Sequence, residues 1–390
     1  MKYQWPIYDQ NEIARVSEIL VSGNVNYWTG EEGKLFEKEF SKWCGCDFSV
    51  AVANGSVALS LALHSINIKR GDEVIVPPRS FVATASAPAL IGAKPIFADV
   101  DQNSQSITAE SIEPLINKNT KAICVVHLGG WPAEMDRIMD LARANNLYVI
   151  EDCAQAHGAK FNSKSVGSFG DISCWSFCQD KNISTAGEGG MVSTSNQTLY
   201  EKIWSLKDHG KDRKLSNQKI NPRVKDFRWL HKTFGTNLRL TEIQSSIGRS
   251  QLKKISEWQK IRERNAKIMI EILSSNPAVR IPILNNKHTH GWYKFYAFVR
   301  FENLTSEWSR VRILEELYDE EVTAFSGSCG EIYLEDSFKK AGLMPESNLP
   351  VASKLGRTSL MFQIHPTIPA EEIERRALII DKVLKRSLKK

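Results

Sequence analysis

Short apolar runs alternate with helical patterns over the first two-thirds of this 390-residue chain. Runs of four to seven residues rich in Val and Ile predict buried strands, whereas apolar residues three and four positions apart predict helices. Helices are predicted at 56–66, 81–93 and 135–146. Strands are predicted at DEVIVP (72–77), PIFADV (95–100), AICVVHL (122–128), YVIED (148–152) and DISCWSF (171–177). Strands and helices that alternate in this way predict a largely parallel α/β sheet.

The pattern changes near residue 240. Residues 241–273 form a long helical pattern almost free of Pro and Gly, in which we predict a break near Gly248. A predicted strand at 292–301 and predicted helices at 310–321 and over the last twenty residues follow. We therefore predict two domains, a large α/β domain over residues 1–249 and a smaller α+β domain over residues 250–390.

Composition excludes several functional classes. The chain carries 51 basic and 45 acidic residues, and a net charge of +6 is too small to indicate a nucleic-acid-binding protein. No apolar stretch reaches the ~18 residues of a membrane span, and the first residues lack the apolar segment of a secretory signal. We therefore expect a cytoplasmic protein with no membrane partner. The seven cysteines match neither a zinc spacing nor a disulfide framework, and we predict no metal site.

Three features of the large domain suggest a common chemistry. Asn54-Gly55-Ser56 opens a helix, whose first N–H groups suit either a phosphate or an ordinary helix cap. Asp152 ends a predicted strand, where a carboxylate can hold a protonated ring nitrogen or cap the next helix. Lys181 precedes a Gly-rich segment, and its amine can form a Schiff base with an aldehyde or simply lie in a loop. Together, a phosphate cradle, a carboxylate and an amine are complementary to pyridoxal 5′-phosphate (PLP).

The sequence resembles the DegT/DnrJ/EryC1/StrS family of PLP-dependent sugar aminotransferases. The resemblance covers nearly the whole chain and depends on motifs in a fixed order, among them NGSVALSLAL, GDEVIVPPRSFVATASA, VIEDCAQAHGA, KNISTAGEGGMVST and TNLRLTEIQSSIG. It implies the fold of the aspartate aminotransferase-like PLP enzymes (fold type I), with a mostly parallel sheet in the large domain and a smaller α+β C-terminal domain.

The resemblance also implies roles for residues around the cofactor ring. Lys181 would bind the PLP aldehyde and carry the proton between substrate and cofactor. Asp152 would pair with the ring nitrogen, Gln155 would contact the ring hydroxyl, and Phe81 would stack on the ring.

A second set of implied contacts concerns the phosphate. Gly55, Ser56 and Ser176 would bind it, and Asn237 would reach it from a neighbouring subunit, which implies a homodimer with shared active sites. Arg239, two residues further on, would help to shape the same shared site.

The implied reaction transfers an amino group from L-glutamate to a nucleotide-linked keto-deoxysugar, in the synthesis of a surface polysaccharide such as the lipopolysaccharide O-antigen or of a related aminosugar. The sequence leaves open whether C3 or C4 of the sugar is aminated. Two alternatives remain: a sugar dehydratase of the same family and a non-catalytic regulator that binds PLP or sugar. The dehydratases carry His in place of the Schiff-base lysine, so Lys181 argues against the first alternative.

Substrate contacts are predicted outside the cofactor motifs. The candidates are aromatic, His, Lys and Arg side chains, namely Tyr27, Arg239, His290, Trp292, Tyr293, Lys294, Tyr333 and His365. A packed core strand is an equally good interpretation of the aromatic segment 288–300. Gln179 and Asp180, just before Lys181, depart from the family pattern and receive no predicted role.

Overall fold

The computed structural model describes residues 3–218 and 227–389. Its α-helices are α1 (Gln10–Ser22), α2 (Glu32–Cys44), α3 (Gly55–Ser65), α4 (Ala83–Leu90), α5 (Ala109–Ile112), α6 (Met135–Ala144), α7 (Gln197–Lys207), α8 (Arg213–Ser216), α9 (Glu242–Leu273), α10 (Arg310–Asp319), α11 (Asp336–Lys340), α12 (Pro350–Thr358) and α13 (Ala370–Ser387). Its strands are β1 (Phe48–Val52), β2 (Glu73–Val76), β3 (Lys94–Phe97), β4 (Thr120–Val126), β5 (Tyr148–Asp152), β6 (Lys160–Phe161), β7 (Lys164–Ser165), β8 (Ile172–Ser176), β9 (Gly190–Thr194), β10 (Val279–Arg280), β11 (His288–Thr289), β12 (Phe295–Val299), β13 (Ala324–Phe325) and β14 (Ser359–Phe362). None of these helices combines the length and the apolar character that a membrane span requires.

The main sheet has seven strands in the order β1-β9-β8-β5-β4-β2-β3. Strands β8, β5, β4, β2 and β3 are parallel, and β9 is antiparallel to both of its neighbours. The predicted α/β class with a mostly parallel sheet is confirmed. The carboxyl ends of the central strands meet at one edge, where Asp152 is in register with Val126 on one side and Cys174 on the other. Ligands of open α/β sheets bind at such an edge.

A second sheet, with strand order β10-β12-β14-β13, is antiparallel and lies in the C-terminal part of the chain. It shares an apolar cluster with α13 and the second half of α9, represented by Met269, Phe295 and Ile380. Tyr333 and Leu355 belong instead to the apolar cluster of the main sheet. The predicted domain boundary after residue 249 falls inside α9 and stays a prediction.

Helix α9 runs without interruption for 32 residues, so the predicted break near Gly248 is wrong. A capping box fixes its start, because the Thr241 and Gln244 side chains each accept the other's backbone N–H. Gly248 allows close packing rather than a break: a Cβ atom there would lie 2.6 Å from the ring of Phe36. The helix packs against α1, α2 and α13 and so contacts both parts of the molecule.

Candidate active site

A cavity of about 810 Å³ opens at the carboxyl edge of the main sheet. It is lined by residues from the ends of β4, β5 and β8, from the start of α3 and from the C-terminal sheet. Seven of the eight residues predicted to bind PLP line this one cavity, namely Gly55, Ser56, Phe81, Asp152, Gln155, Ser176 and Lys181. Residues that are far apart in sequence, from 55 to 181, therefore converge because the parallel strands end at the same edge.

The start of α3 forms a cradle at one end of the cavity. Asn54 is the N-cap, and its Oδ1 accepts the backbone N–H of Val57 at 2.9 Å. The first N–H groups of a helix have no partner within the helix, and with the helix dipole they attract anions. A Cβ atom at position 55 would lie 2.8 Å from Cβ of Ser176, so only glycine brings the helix start this close to β8. Space and chemistry here both suit a phosphate.

Asp152, the last residue of β5, supplies a carboxylate that is only 6% exposed. Its oxygens accept the Thr84 hydroxyl at 2.8 Å and the Ala154 N–H at 3.2 Å. Burial raises the pKa of this carboxyl, and the hydrogen bonds from Thr84 and Ala154 and the charge of Lys181 only partly oppose that effect. Within the described residues no cation forms an ion pair with it. A protonated ring nitrogen placed in the cavity would supply the missing partner.

Glu151, the residue before Asp152, has a different environment. His127 Nδ1 accepts the N–H of Ala133 at 3.0 Å, so the ring proton is on Nε2, which donates to Glu151 at 3.0 Å. Glu151 also accepts three backbone N–H groups, those of Gly167, Phe169 and Gly170. Glu151 does not line the cavity and is fully engaged in holding the loop after β7.

Lys181 extends its amine into the cavity, with 14% of the side chain exposed. Its Nζ lies 3.5 Å from the Tyr293 hydroxyl and 3.9 Å from Oδ1 of Asp180. The same Tyr293 hydroxyl donates to Oδ2 of Asp180, and Lys294 Nζ lies 3.5 Å from that oxygen. Burial raises the pKa of the Asp180 carboxyl, but the two lysines and Tyr293 outweigh it, so the net shift is downward.

Two further predicted residues differ in how firmly they are held. Gln155 accepts the N–H of Gly129 through Oε1 at 2.8 Å, which leaves its side-chain N–H groups for a ligand. Phe81 is 65% exposed at the rim, where its ring has no close aromatic partner among the described residues. An exposed aromatic ring beside an open cavity is available to stack on a flat ligand.

Of the predicted substrate residues, Tyr293 and Lys294 line the cavity and the others do not. Tyr27 is buried, and its hydroxyl donates to Glu37 at 3.0 Å. Tyr333 is buried and donates to Glu331. His290 stacks on Trp292 with ring centroids 4.0 Å apart. Their predicted roles in substrate binding stay predictions.

Asn237, Arg239 and His365 also lie outside the lining of the main cavity. Asn237 is exposed, and Arg239 pairs with β1 through a bridge to Val52 and with Asp208 through an ion pair of 2.8 Å. His365 lines an adjacent cavity of about 550 Å³ that shares Asp180 with the main one.

Sequence reasoning missed Thr84 and Asp180. Both touch predicted site residues, and the only signal in the sequence was their proximity in the chain to Phe81 and Lys181. The complete set matches the groups of PLP: a helix start for the phosphate, a buried carboxylate for the ring nitrogen and an amine for the aldehyde.

The chain matches the model of the DegT/DnrJ/EryC1/StrS aminotransferase family over residues 6–383. It is a member of this family. The predicted family, fold class, enzyme class and PLP cofactor are thereby confirmed.

Three proteins illustrate the range of similar family members. An aminotransferase from Psychrobacter cryohalolentis, of known structure, is 46% identical with a TM-score of 0.96, over 98% of this chain and 99% of that one. The UDP-N-acetyl-3-dehydro-α-D-glucosamine 3-aminotransferase of Acidithiobacillus ferrooxidans is 35% identical over 93% of this chain and 91% of its own. The GDP-perosamine synthase of Escherichia coli O157:H7 is 38% identical over 66% of this chain and 68% of its own.

Proposed function

We propose that this aminotransferase moves the amino group of L-glutamate onto the keto carbon, C3 or C4, of a nucleotide-linked keto-deoxysugar. The observation that carries the proposal is that the Lys181 amine, the Asp152 carboxylate and the open start of α3 line one cavity. Two of the similar proteins named above carry a UDP-linked or a GDP-linked sugar in their names. They support a nucleotide-linked substrate without selecting its base.

The residues of the cradle bind and orient the cofactor. The amides of Gly55 and Ser56, with the hydroxyls of Ser56 and Ser176, hold the phosphate. When bound, PLP supplies a ring that takes up the electron pair left on a substrate carbon, which makes the exchange of amino and oxo groups possible.

The residues near the ring set its charge and its contacts. Asp152 would keep the ring nitrogen protonated, and Thr84 holds the carboxylate in place through its 2.8 Å hydrogen bond. The side-chain N–H groups of Gln155 would donate to the ring hydroxyl, and the exposed ring of Phe81 would stack on the cofactor ring. Lys181 would hold the cofactor at its aldehyde and would move a proton to and from the substrate carbon; such acid–base assistance contributes ~10²–10⁴-fold.

We propose further that the enzyme is a cytoplasmic homodimer whose sites are shared. The exposed position of Asn237 supports this, since its side chain is accessible to a second subunit. Asn237 of the partner subunit would then complete the phosphate site, with Arg239 beside it. The proposed pathway role is synthesis of a surface polysaccharide such as the O-antigen.

Absorbance spectroscopy and product analysis test the function together. The purified holoenzyme should be yellow, and L-glutamate should bleach the visible band as the amino group moves to the cofactor. A panel of UDP-, GDP- and dTDP-linked ketosugars should then restore the band and give an aminosugar. A deoxygenated product without nitrogen would support the dehydratase alternative, and a yellow protein that glutamate leaves unchanged would support the regulator.

A further inference from the structure

The region around the Lys181 amine contains more ionisable groups than the proposed chemistry uses. Asp180, Tyr293 and Lys294 all lie next to it, and Lys181 and Lys294 each place Nζ over the Tyr293 ring, at 4.8 Å and 4.6 Å from its centroid. None of the three has a role in binding the cofactor groups described above.

The two oxygens of Asp180 serve different partners. Oδ2 accepts the Tyr293 hydroxyl and faces Lys294 at 3.5 Å, whereas Oδ1 faces Lys181 at 3.9 Å. Lys294 therefore does not displace Lys181 from the carboxylate, because the two lysines approach different oxygens. One carboxylate can hold both cations at once.

Tyr293 is itself fixed in position. Its backbone oxygen and that of Trp292 accept Nη1 of the buried Arg262, at 3.4 Å and 3.2 Å. Its buried ring and the hydrogen bond to Asp180 hold its hydroxyl, which lies 3.5 Å from Nζ of the long, flexible Lys181 side chain.

We propose that Asp180 and Tyr293 form a holding site for the Lys181 amine during the part of the cycle in which that amine is not bonded to the cofactor. This inference rests on the proposed function, since a transferase must release its lysine from the cofactor and recover it in each cycle. Asp180 and Tyr293 are positioning residues: they hold the free amine at the cavity wall, within 3.9 Å of Oδ1 of Asp180 and 3.5 Å of the Tyr293 hydroxyl. The Asp180 side chain is 53% exposed, so the contact is partly solvated and weak enough to be reversible.

The test measures how fast the free amine reacts with an acylating reagent. Full-length protein is loaded with pyridoxamine 5′-phosphate, which has no aldehyde and so leaves Lys181 free. Limiting acetic anhydride is added at one mildly alkaline pH, and acetylation of Lys181 is quantified by peptide mass spectrometry. Because an amine held by a carboxylate is less available to the reagent than a released one, Asp180→Asn should raise the rate at Lys181 by roughly two- to fivefold, the range of a partly exposed ion pair. Tyr293→Phe should raise it less, because the carboxylate remains.

Two variants separate this role from a structural or general charge effect. Glu188 lines the same cavity, but its carboxylate contacts the Cys178 thiol at 3.9 Å, so Glu188→Gln should leave the rate at Lys181 unchanged. Asp180→Glu should restore the slow rate. Equal rates in Asp180→Asn and wild type, or equal increases in Asp180→Asn and Glu188→Gln, would overturn the proposal. The labelling needs no amino transfer, so a failure of glutamate to bleach the holoenzyme would refute the proposed function separately.

Discussion

At the scale of single residues, the contrast between Glu151 and Asp152 explains why only one of two adjacent carboxylates can serve the cofactor. Glu151 has a histidine and three backbone amides as partners, whereas Asp152 has one hydroxyl and one amide. Asp152 is therefore a desolvated carboxylate with unused capacity for a cation. Such a group costs stability until its ligand binds, because burial disfavours its charged form.

Asp152→Asn should therefore change stability and activity in opposite directions. Burial raises the folded-state pKa of Asp152, so its contribution to stability is complete at low pH and is lost as pH rises through that pKa. The Asn amide does not ionise, so the variant keeps its stability at neutral pH, where the buried carboxylate of the wild type lowers it. The cofactor-free variant should therefore melt roughly 1–3 °C higher than the wild type. Turnover should fall by about 10²-fold or more, because the ring nitrogen loses its anionic partner.

Thermal denaturation of both cofactor-free proteins at neutral and acidic pH measures the first effect, and the difference between them should shrink in acid. Glu151→Gln is the matched control, and it should lower the melting temperature because it weakens a satisfied buried network. A cofactor-free Asp152→Asn protein that melts lower than the wild type at neutral pH would contradict the argument.

At the scale of elements, the function depends on how closely the start of α3 approaches the end of β8. Gly55→Ala should stabilise the helix through intrinsic propensity, because Ala is more favourable than Gly in a helix by ~1 kcal/mol. The new methyl group, however, would lie 2.8 Å from Cβ of Ser176. We expect the clash to prevail, with a net destabilisation of about 1 kcal/mol and an affinity for PLP at least tenfold lower. Fluorescence titration with PLP and urea denaturation measure the two quantities. Ser60→Ala, in the same helix but outside the cavity lining, should leave PLP affinity unchanged.

Elements and strand-end residues were predictable, and contacts between distant elements were not. The apolar runs that predict strands at 72–77 and 148–152 contain β2 and β5, and the run at 122–128 overlaps β4, because buried parallel strands are continuously apolar. Asp152 and Lys181 were recognisable from their positions after strands. The hydrogen bonds from Thr84 to Asp152 and from Tyr293 to Asp180 join residues 68 and 113 positions apart, and no local pattern specifies such pairs. The break at Gly248 was wrongly predicted for the same reason, since the close approach of Phe36 is a tertiary contact.

At the scale of the whole molecule, Asn237 lies outside the cavity of the described monomer. Large apolar side chains close to Asn237 in the sequence are exposed. Trp229 is 83% exposed and Phe234 is 98% exposed, which is unusual for rings of this size. A second copy of the chain would bury such side chains while bringing Asn237 to its site. We therefore expect the enzyme to sediment as a dimer.

Subunit mixing tests whether the two sites are shared. Lys181→Ala and Asn237→Ala proteins should each be nearly inactive as homodimers. In a mixed dimer, the subunit that keeps Lys181 receives an intact Asn237 from its partner, so one of the two sites is complete. Random exchange makes half of the dimers mixed, so refolding an equal mixture should restore about a quarter of wild-type activity. Mixing Lys181→Ala with Asp152→Asn is the matched control. If both residues act within one subunit, neither subunit of the mixed dimer has both Lys181 and Asp152. Neither site is then complete, and activity should not return. Recovery in the control but not in the first mixture would place Asn237 in its own subunit's site and Asp152 in the shared one, contrary to the arrangement proposed here.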